Sequence, residues 1–156
     1  MTECKVIRIE APSPQLVDEI ALLEEANFGR GGLNEWHLPF IIRHGRLYAL
    51  ESSGKILGAA SLIRDWDHDA KAYLVDFAIA KGRQKEGLGR LLLKGILEEM
   101  EQEGTEVLEL TVAEENSSAT NLYERFGFCR VDFLKDEYGQ GQDRWLLRLI
   151  TQVMSS

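Results

Sequence analysis

The stretch AYLVDFAIAKGRQKEGLGRLLLKGILEEM, residues 72–100, gives the clearest indication of the fold of this chain. Its first nine residues are almost uniformly apolar, which predicts a central β-strand that is covered on both faces. From Leu88 to Glu103 apolar residues recur at helical spacing, and Gly104 is placed to end that helix. A glycine-containing loop therefore lies between the end of a strand and the start of a helix.

The loop at residues 85–90 predicts an anion site made by backbone. The first N–H groups of a helix have no partner within the helix, and glycine lets an anion approach the backbone closely. Gly82 and Gly87 have the spacing of a nucleotide-binding loop, but Leu88 and Gly89 stand where that motif needs lysine and a hydroxyl residue. A dinucleotide motif fails at Leu92. A phosphate or pyrophosphate site and a tight turn without a ligand both fit the loop alone.

The pattern of the remaining residues predicts an α/β fold in one domain over residues 1–156. Ser13 and Pro14 open a first helix, and Pro39 is expected to interrupt a second, short helix. The predicted order is βααβββαβαββ, with a mixed, mostly antiparallel sheet flanked by helices. The predicted strands are residues 5–9, two strands within 46–65, then 72–80, 105–113, a segment at about 128–134, and 143–150.

Composition narrows the classes of partner. The 156 residues carry a formal net charge of -8, which disfavours binding to nucleic acid or to an anionic membrane and suits a cationic amine substrate. The first residues do not resemble a signal peptide, so we expect a cytoplasmic protein. Neither the two cysteines nor the three histidines have metal-ligand spacing, so no metal is predicted. The sequence leaves room for a homodimer.

Three blocks resemble the GNAT family of N-acetyltransferases, in the family's order. They are QKEGLG (84–89), NSSATNLYERFGF (116–128) and YGQGQDRWLLRL (138–149). The resemblance extends over essentially the whole chain and implies the acyl-CoA N-acyltransferase fold, with acetyl-CoA as co-substrate. It is partly a resemblance to the branch of ribosomal-protein N-terminal acetyltransferases.

The resemblance also implies which residues bind the coenzyme. In the family the glycine loop holds the pyrophosphate of coenzyme A, the end of the preceding strand pairs with the pantetheine arm, and the asparagine of the second block bonds to the coenzyme. The implied residues are Phe77, Ala78, Ile79, Gln84, Lys85, Glu86, Gly87, Leu88, Gly89, Arg90 and Asn116. The Ile79 amide would polarise the thioester carbonyl as an oxyanion donor.

Three residues are catalytic candidates. By resemblance Tyr123 protonates the leaving thiolate, although its position alone would indicate a core aromatic residue. Asp76, a carboxylate within an apolar strand, needs a partner or a function, and it is a candidate base acting through water. Glu109 is the other candidate base, with ordinary solvation on a strand as its simpler interpretation. The ribosomal-protein branch has its glutamate base five residues before the asparagine, and here that residue is Thr111, which cannot be a base.

The predicted function is transfer of acetyl from acetyl-CoA to a primary amine by direct attack, with a small-molecule amine favoured. Contacts to the acceptor are expected from residues 28–36, 65–69 and 135–142. The alternatives are a protein N-terminal or lysine acetyltransferase, a non-catalytic acyl-CoA-binding module, and an interaction protein that only keeps the fold. The aspartates at 65–69 lack the glycine and terminal glutamate of a calcium loop.

Overall fold

A computed structural model of the protein describes residues 3–84 and 86–151. Over these residues the strands and helices follow in the predicted order βααβββαβαββ. The strands are β1 (Lys5–Ile9), β2 (Arg46–Ser52), β3 (Lys55–Arg64), β4 (Lys71–Ile79), β5 (Val107–Val112), β6 (Cys129–Leu134) and β7 (Arg144–Ile150). The helices are α1 (Pro14–Phe28), α2 (Leu38–His44), α3 (Leu88–Gln102) and α4 (Ser117–Arg125), with a 3₁₀ turn at Gly29–Gly31.

The strands form a sheet in the order β1-β2-β3-β4-β5-β7-β6, in which β4 is central as its apolar run predicted. β4 and β5 run parallel, joined through α3, because a parallel pair needs a long crossover. Pairs β1–β2, β2–β3, β5–β7 and β6–β7 are antiparallel. The mixed, mostly antiparallel sheet confirms the predicted fold class. The parallel ladder pairs Lys71–Tyr73 with Val107–Glu109 and ends there, although β4 itself continues to Ile79.

The chain packs as two compact units, and each unit uses two stretches of chain. The first unit contains the residues up to Ile63 together with Val75–Glu99, and the second contains Arg64–Leu74 and the residues from Met100 onward. The division falls within β4 and within α3. A single N-acetyltransferase domain over residues 1–156 stays a prediction.

Helix ends follow local chemistry. The Ser13 hydroxyl accepts a hydrogen bond from the Leu16 amide at 3.3 Å, and Pro14 occupies the first turn of α1. The expectation that Pro39 interrupts α2 is wrong. The helix begins at Leu38, so Pro39 lies in its first turn, where a missing N–H costs nothing.

No helix within the described ranges is long and apolar enough to span a membrane.

Buried apolar side chains occur in both units. In the first unit, side chains from α1, α2 and the β1–β3 strands pack together around Ile20, Leu38 and Leu47, all nearly without solvent exposure. In the second unit the inward face of β5 contributes Leu108 and Leu110. The α3 residues expected to form one stripe are all buried, namely Leu88, Leu92, Ile96 and Met100.

Candidate active site

The glycine loop after β4 has the backbone geometry that a helix N-terminal site requires. Gly87 has φ +80°, a left-handed conformation that favours glycine, and α3 begins at the next residue. The Gly87 carbonyl accepts the first helical bond, from Leu91 N at 3.2 Å. An ion pair at 2.7 Å joins Arg83 to Glu86. Lys85, which was predicted to contact the coenzyme, lies outside the described residues.

Asn27 of α1 connects the loop to the end of β4. Its Nδ2 donates to the Ile79 carbonyl at 3.0 Å and to the Leu23 carbonyl at 2.9 Å. Its Oδ1 accepts from Gln84 Nε2 at 3.1 Å, and the same nitrogen lies 3.4 Å from the Ile79 carbonyl oxygen. One amide side chain thus holds two of the residues predicted to bind coenzyme, and the sequence analysis did not identify it.

Asp76 of β4 lies in a polar cluster within the first unit. Its Oδ1 accepts hydrogen bonds from both the backbone amide, at 3.1 Å, and the hydroxyl of Ser61, a residue without solvent exposure on β3. Glu24 of α1 is its neighbouring acid, close enough for Asp76 to raise the pKa of Glu24. Asp76 therefore has partners, as a carboxylate within an apolar strand must have.

Glu24 is a second acid in this cluster, and the sequence analysis missed it. The residue is 1% exposed, and its Oε1 accepts from the Leu33 amide at 3.0 Å. Burial, followed by the hydrogen bond and the negative charge of Asp76, raises the pKa of Glu24 to about 9. A usable signal was present, because Glu24 follows the buried Val17 and Ile20 at helical spacing on α1.

Glu109 of β5 has the opposite surroundings, within the second unit. It is 6% exposed, so ordinary solvation on a strand is the wrong interpretation. Lys71 Nζ lies 2.9 Å from Oε1, and Arg148 binds Oε2 through Nη2 at 2.6 Å and Nε at 2.7 Å. Burial favours a raised pKa, but hydrogen bonds and charge from Lys71 and Arg148 outweigh it and lower the pKa of Glu109.

Thr111, at the position where the related branch has a glutamate, belongs to a cluster of three hydroxyls in the second unit. Tyr73 Oη lies 3.0 Å from Thr111 Oγ1 and 3.4 Å from Tyr138 Oη. Burial raises the pKa of Tyr73 to about 12, and the Tyr138 hydrogen bond adds to this while that from Thr111 opposes it. Tyr73 is therefore a neutral phenol at physiological pH. No motif in the sequence had pointed to Tyr73.

Tyr123 and Asn116, from the second block, lie on and before α4. Tyr123 is 6% exposed, and its ring packs edge-on against Phe128 with centroids 5.6 Å apart. Asn116 is the predicted cap of α4, with its Oδ1 accepting from the Ala119 amide at 3.2 Å. The packing and the capping are thus observed, while the catalytic and coenzyme-binding roles stay predictions.

Comparison with known proteins identifies the family. Residues 9–128 match the acetyltransferase (GNAT) family, and this chain belongs to that family. The family assignment made from the three blocks is confirmed. GNAT proteins use acetyl-CoA. No group of three or more His, Cys, Asp or Glu that could hold a metal ion occurs among the residues that the structure describes.

Two curated relatives act on protein N-termini by name. The chain is 35% identical over 68 residues to the ribosomal protein bS18-alanine N-acetyltransferase of Escherichia coli strain K12, which is 44% of this chain and 46% of the relative. It is 32% identical over 78 residues to an N-alpha-acetyltransferase of Sulfurisphaera tokodaii, covering 49% and 47% of the two chains. The chain spans about half the length of the curated relatives it matches.

Similarity to a solved structure extends further. The crystal structure of the Escherichia coli ribosomal-protein-S18-alanine N-acetyltransferase superposes with a TM-score of 0.71 at 21% identity. The superposition covers 96% of this chain and 95% of that protein. It shows that the two chains share a fold.

Proposed function

We propose that this protein transfers the acetyl group of acetyl-CoA to the α-amine at the N-terminus of a protein or peptide. The observation that carries the proposal is the glycine loop, whose left-handed Gly87 precedes α3 within the residues that match the acetyltransferase family. The sequence alone favoured a small-molecule acceptor. The names of the curated relatives favour the protein N-terminal alternative.

The coenzyme is proposed to bind along the end of β4 and the start of α3. Backbone N–H groups at the start of α3, including those of Glu86, Gly89 and Arg90, would hold the pyrophosphate together with Gln84, because a helix N-terminus attracts anions. The backbone of Phe77, Ala78 and Ile79 would pair with the pantetheine arm, and Asn116 would add a hydrogen bond. The Asn27 contacts support this proposal because they hold both Ile79 and Gln84.

The proposed chemistry is direct attack. The amine first loses a proton through a water molecule to a carboxylate base. Its nitrogen then forms a bond to the thioester carbon, which gives a tetrahedral oxyanion, and collapse of this intermediate breaks the C–S bond. The Ile79 amide would stabilise the oxyanion, and Tyr123 would give its proton to the departing thiolate. The nitrogen loses its second proton as the amide forms, and that proton restores the phenol of Tyr123.

The chemistry of the acceptor fits an N-terminal amine. A free α-amine has a pKa of about 8, whereas a lysine amine has one of about 10.4, so far less help is needed to deprotonate the α-amine at neutral pH. Thr111 stands where the related branch has its glutamate base, so the base in this protein would be Asp76 or Glu109, acting through water. A carboxylate acting through water is a modest base, and it is adequate for an amine that is already partly neutral.

The experiment is a panel of acceptors with acetyl-CoA, read by mass spectrometry of the products. It includes peptides with free and blocked N-termini, free polyamines, amino acids and aminoglycosides. We expect acetylation of free N-termini and none of blocked peptides. Acetylation of the small amines alone would restore the small-molecule alternative, and coenzyme binding without any product would favour a non-catalytic module.

Gly89→Arg tests the proposed coenzyme site. A long side chain at the start of α3 should obstruct the pyrophosphate, and calorimetry should show weaker acetyl-CoA binding. Gly31→Arg is the matched change, because a side chain at Gly31 meets nothing within 4 Å and the residue has no left-handed φ. Undiminished affinity in Gly89→Arg would refute the assignment of the loop.

A further inference from the structure

Glu24 is enclosed by the chain that follows α1. The segment after the helix folds back so closely that a Cβ on Gly32 would lie 2.9 Å from the Glu24 carbonyl oxygen. The next residue, Leu33, donates its amide hydrogen to Oε1 of Glu24. Glu24 is thereby excluded from water, and ionising it without a compensating charge would be costly.

Asp76 has a buried oxygen atom that lacks a hydrogen-bond donor among the described residues. One of its oxygens, Oδ1, receives both hydrogen bonds from Ser61. The other, Oδ2, is buried and receives no hydrogen bond from an amide or hydroxyl donor within the described ranges. An acceptor left in that state is expensive, and so are two neighbouring buried anions.

We propose that Glu24 and Asp76 share one proton, which Glu24 carries and donates to Asp76 Oδ2. A single proton resolves both difficulties, because it neutralises one acid and supplies the donor that the other lacks. The groups facing Glu24 are the Asp76 carboxylate from β4 and the Leu33 amide from the segment after α1, and Ser61 of β3 faces Asp76. The high pKa of Glu24 agrees with this arrangement.

Glu24 is then a positioning residue for the proposed reaction, and this step depends on the proposed function. With Ser61 on one oxygen and the Glu24 proton on the other, Asp76 is held in one orientation as a carboxylate. It can accept a proton from the amine through water, while the proton on Glu24 stays in place. The pair therefore carries one negative charge before the amine is deprotonated.

The first test needs no substrate and compares Glu24→Gln with wild type. Between the unfolded pKa near 4.5 and the folded pKa of about 9, the folded protein holds a proton that the unfolded chain has lost. Wild-type stability from this group is therefore complete below pH 4.5 and falls as pH rises towards 9. Glutamine keeps an acceptor for Leu33 and a donor for Asp76 but cannot titrate, so this decline in melting temperature should disappear.

Glu25→Gln is the matched control, because Glu25 is the adjacent residue on α1, is exposed, and undergoes the same change from carboxyl to amide. Its melting temperature should follow the wild-type pH dependence. If wild type and Glu24→Gln decline in parallel with pH, the shared proton is refuted. Separation of the two curves supports the shared proton even if no acceptor is acetylated, in which case only the proposed function fails.

The second test asks whether Glu24 positions Asp76 for the reaction or only stabilises the folded protein. Glu24→Leu removes the donor to Asp76 and should lower kcat about tenfold with little change in KM for acetyl-CoA, whereas Glu24→Gln should retain kcat at neutral pH. Wild type should lose activity as pH passes about 9, and Glu24→Gln should lose less. If Glu24→Leu does not fold, the pH–rate profiles of wild type and Glu24→Gln decide, and identical profiles would refute the positioning role.

Discussion

Glu24 and Glu109 are the same residue type, and both are nearly inaccessible to solvent, but their surroundings differ in charge. Glu24, in the first unit, contacts another acid and an amide, and its pKa is raised to about 9. Glu109, in the second unit, lies between Lys71 and Arg148, and its pKa is lowered. Burial alone therefore does not determine the charge of a carboxyl group. The nearest partners do, because charges interact strongly where water is excluded.

The comparison bears on the choice of general base. Protonating Glu109 would break contacts to two cations, which makes it a poor proton acceptor for the reaction. Asp76 accepts hydrogen bonds from neutral groups and contacts no cation among the described ion pairs. We therefore favour Asp76 as the base, acting through water, with Glu109 as a structural anion.

Removing the charge of Glu109 should have the largest effect on stability. Glu109→Gln leaves Arg148 without the carboxylate of Glu109, and leaves Lys71 with Asp65 at 3.7 Å as its acidic partner among the described residues. Both cations left behind are partly exposed. We therefore expect a loss in the free energy of unfolding that is below the ~3–5 kcal/mol of an orphaned buried charge but above that of an exposed ion pair. Urea denaturation measures this loss.

The control for that change is a surface ion pair in the same unit. Glu124 lies 3.6 Å from Arg130, and both side chains are about half exposed. Glu124→Gln should cost less than about 1 kcal/mol, because solvent screens exposed pairs. If Glu109→Gln costs no more than this control, Glu109 does not have the structural role given to it.

The next largest effect is expected on kcat, where the two candidate bases can be compared. Asp76→Asn should lower kcat by about a hundredfold, since a general base typically contributes at least that much, while the affinity for acetyl-CoA should change little. Glu109→Gln, assayed at a temperature where it is folded, should keep most of its kcat. Steady-state kinetics with the best acceptor peptide provides the measurement. The reverse ranking of the two variants would make Glu109 the base.

Acid pH should sharpen the contrast between the two glutamates. The folded pKa of Glu109 lies below its unfolded value, so its stabilising contribution is present above about pH 4.5 and is lost as pH falls through the folded pKa. Glu109→Gln should therefore lose less stability than wild type on acidification. Melting curves at decreasing pH test this, and a variant that loses as much as wild type would count against the lowered pKa.

The smallest effect concerns the neutral cluster beside Glu109. Thr111→Val removes the hydroxyl that bonds to Tyr73, leaving Tyr73 with Tyr138. We expect a cost of about 1 kcal/mol in unfolding free energy, the usual size for one hydrogen bond. A pH-independent kcat change of a hundredfold would instead assign Thr111 to the chemistry.

Much of the fold could be predicted because its signals are local. The helical spacing of α3, the Ser13 cap and the largely apolar run of β4 depend on residues close in sequence. The ion pairs of Glu109 could not be predicted in this way. Arg148 reaches Glu109 because the two residues are directly opposite each other in the β5–β7 register, which only the folded sheet determines.

The contact between Glu24 and Asp76 could not be predicted from the sequence either. Helical spacing indicated that Glu24 shares the buried face of α1, but a glutamate is ordinarily assigned to solvent, and nothing near it in sequence names a partner. Its contact with Asp76 joins positions far apart in the chain. Asp76 itself could be singled out, because a carboxylate within an apolar strand is unusual enough to require an explanation.

The most direct test of the account titrates the two buried glutamates themselves, by NMR of carbon-13-labelled glutamate carboxyl groups with Glu24→Gln and Glu109→Gln used for assignment. We predict that Glu24 titrates at about 9 and Glu109 below 4.5, so that at neutral pH one is a neutral acid and the other an anion. A Glu24 carboxyl group that is already ionised at neutral pH would contradict the shared proton and the contrast drawn from it.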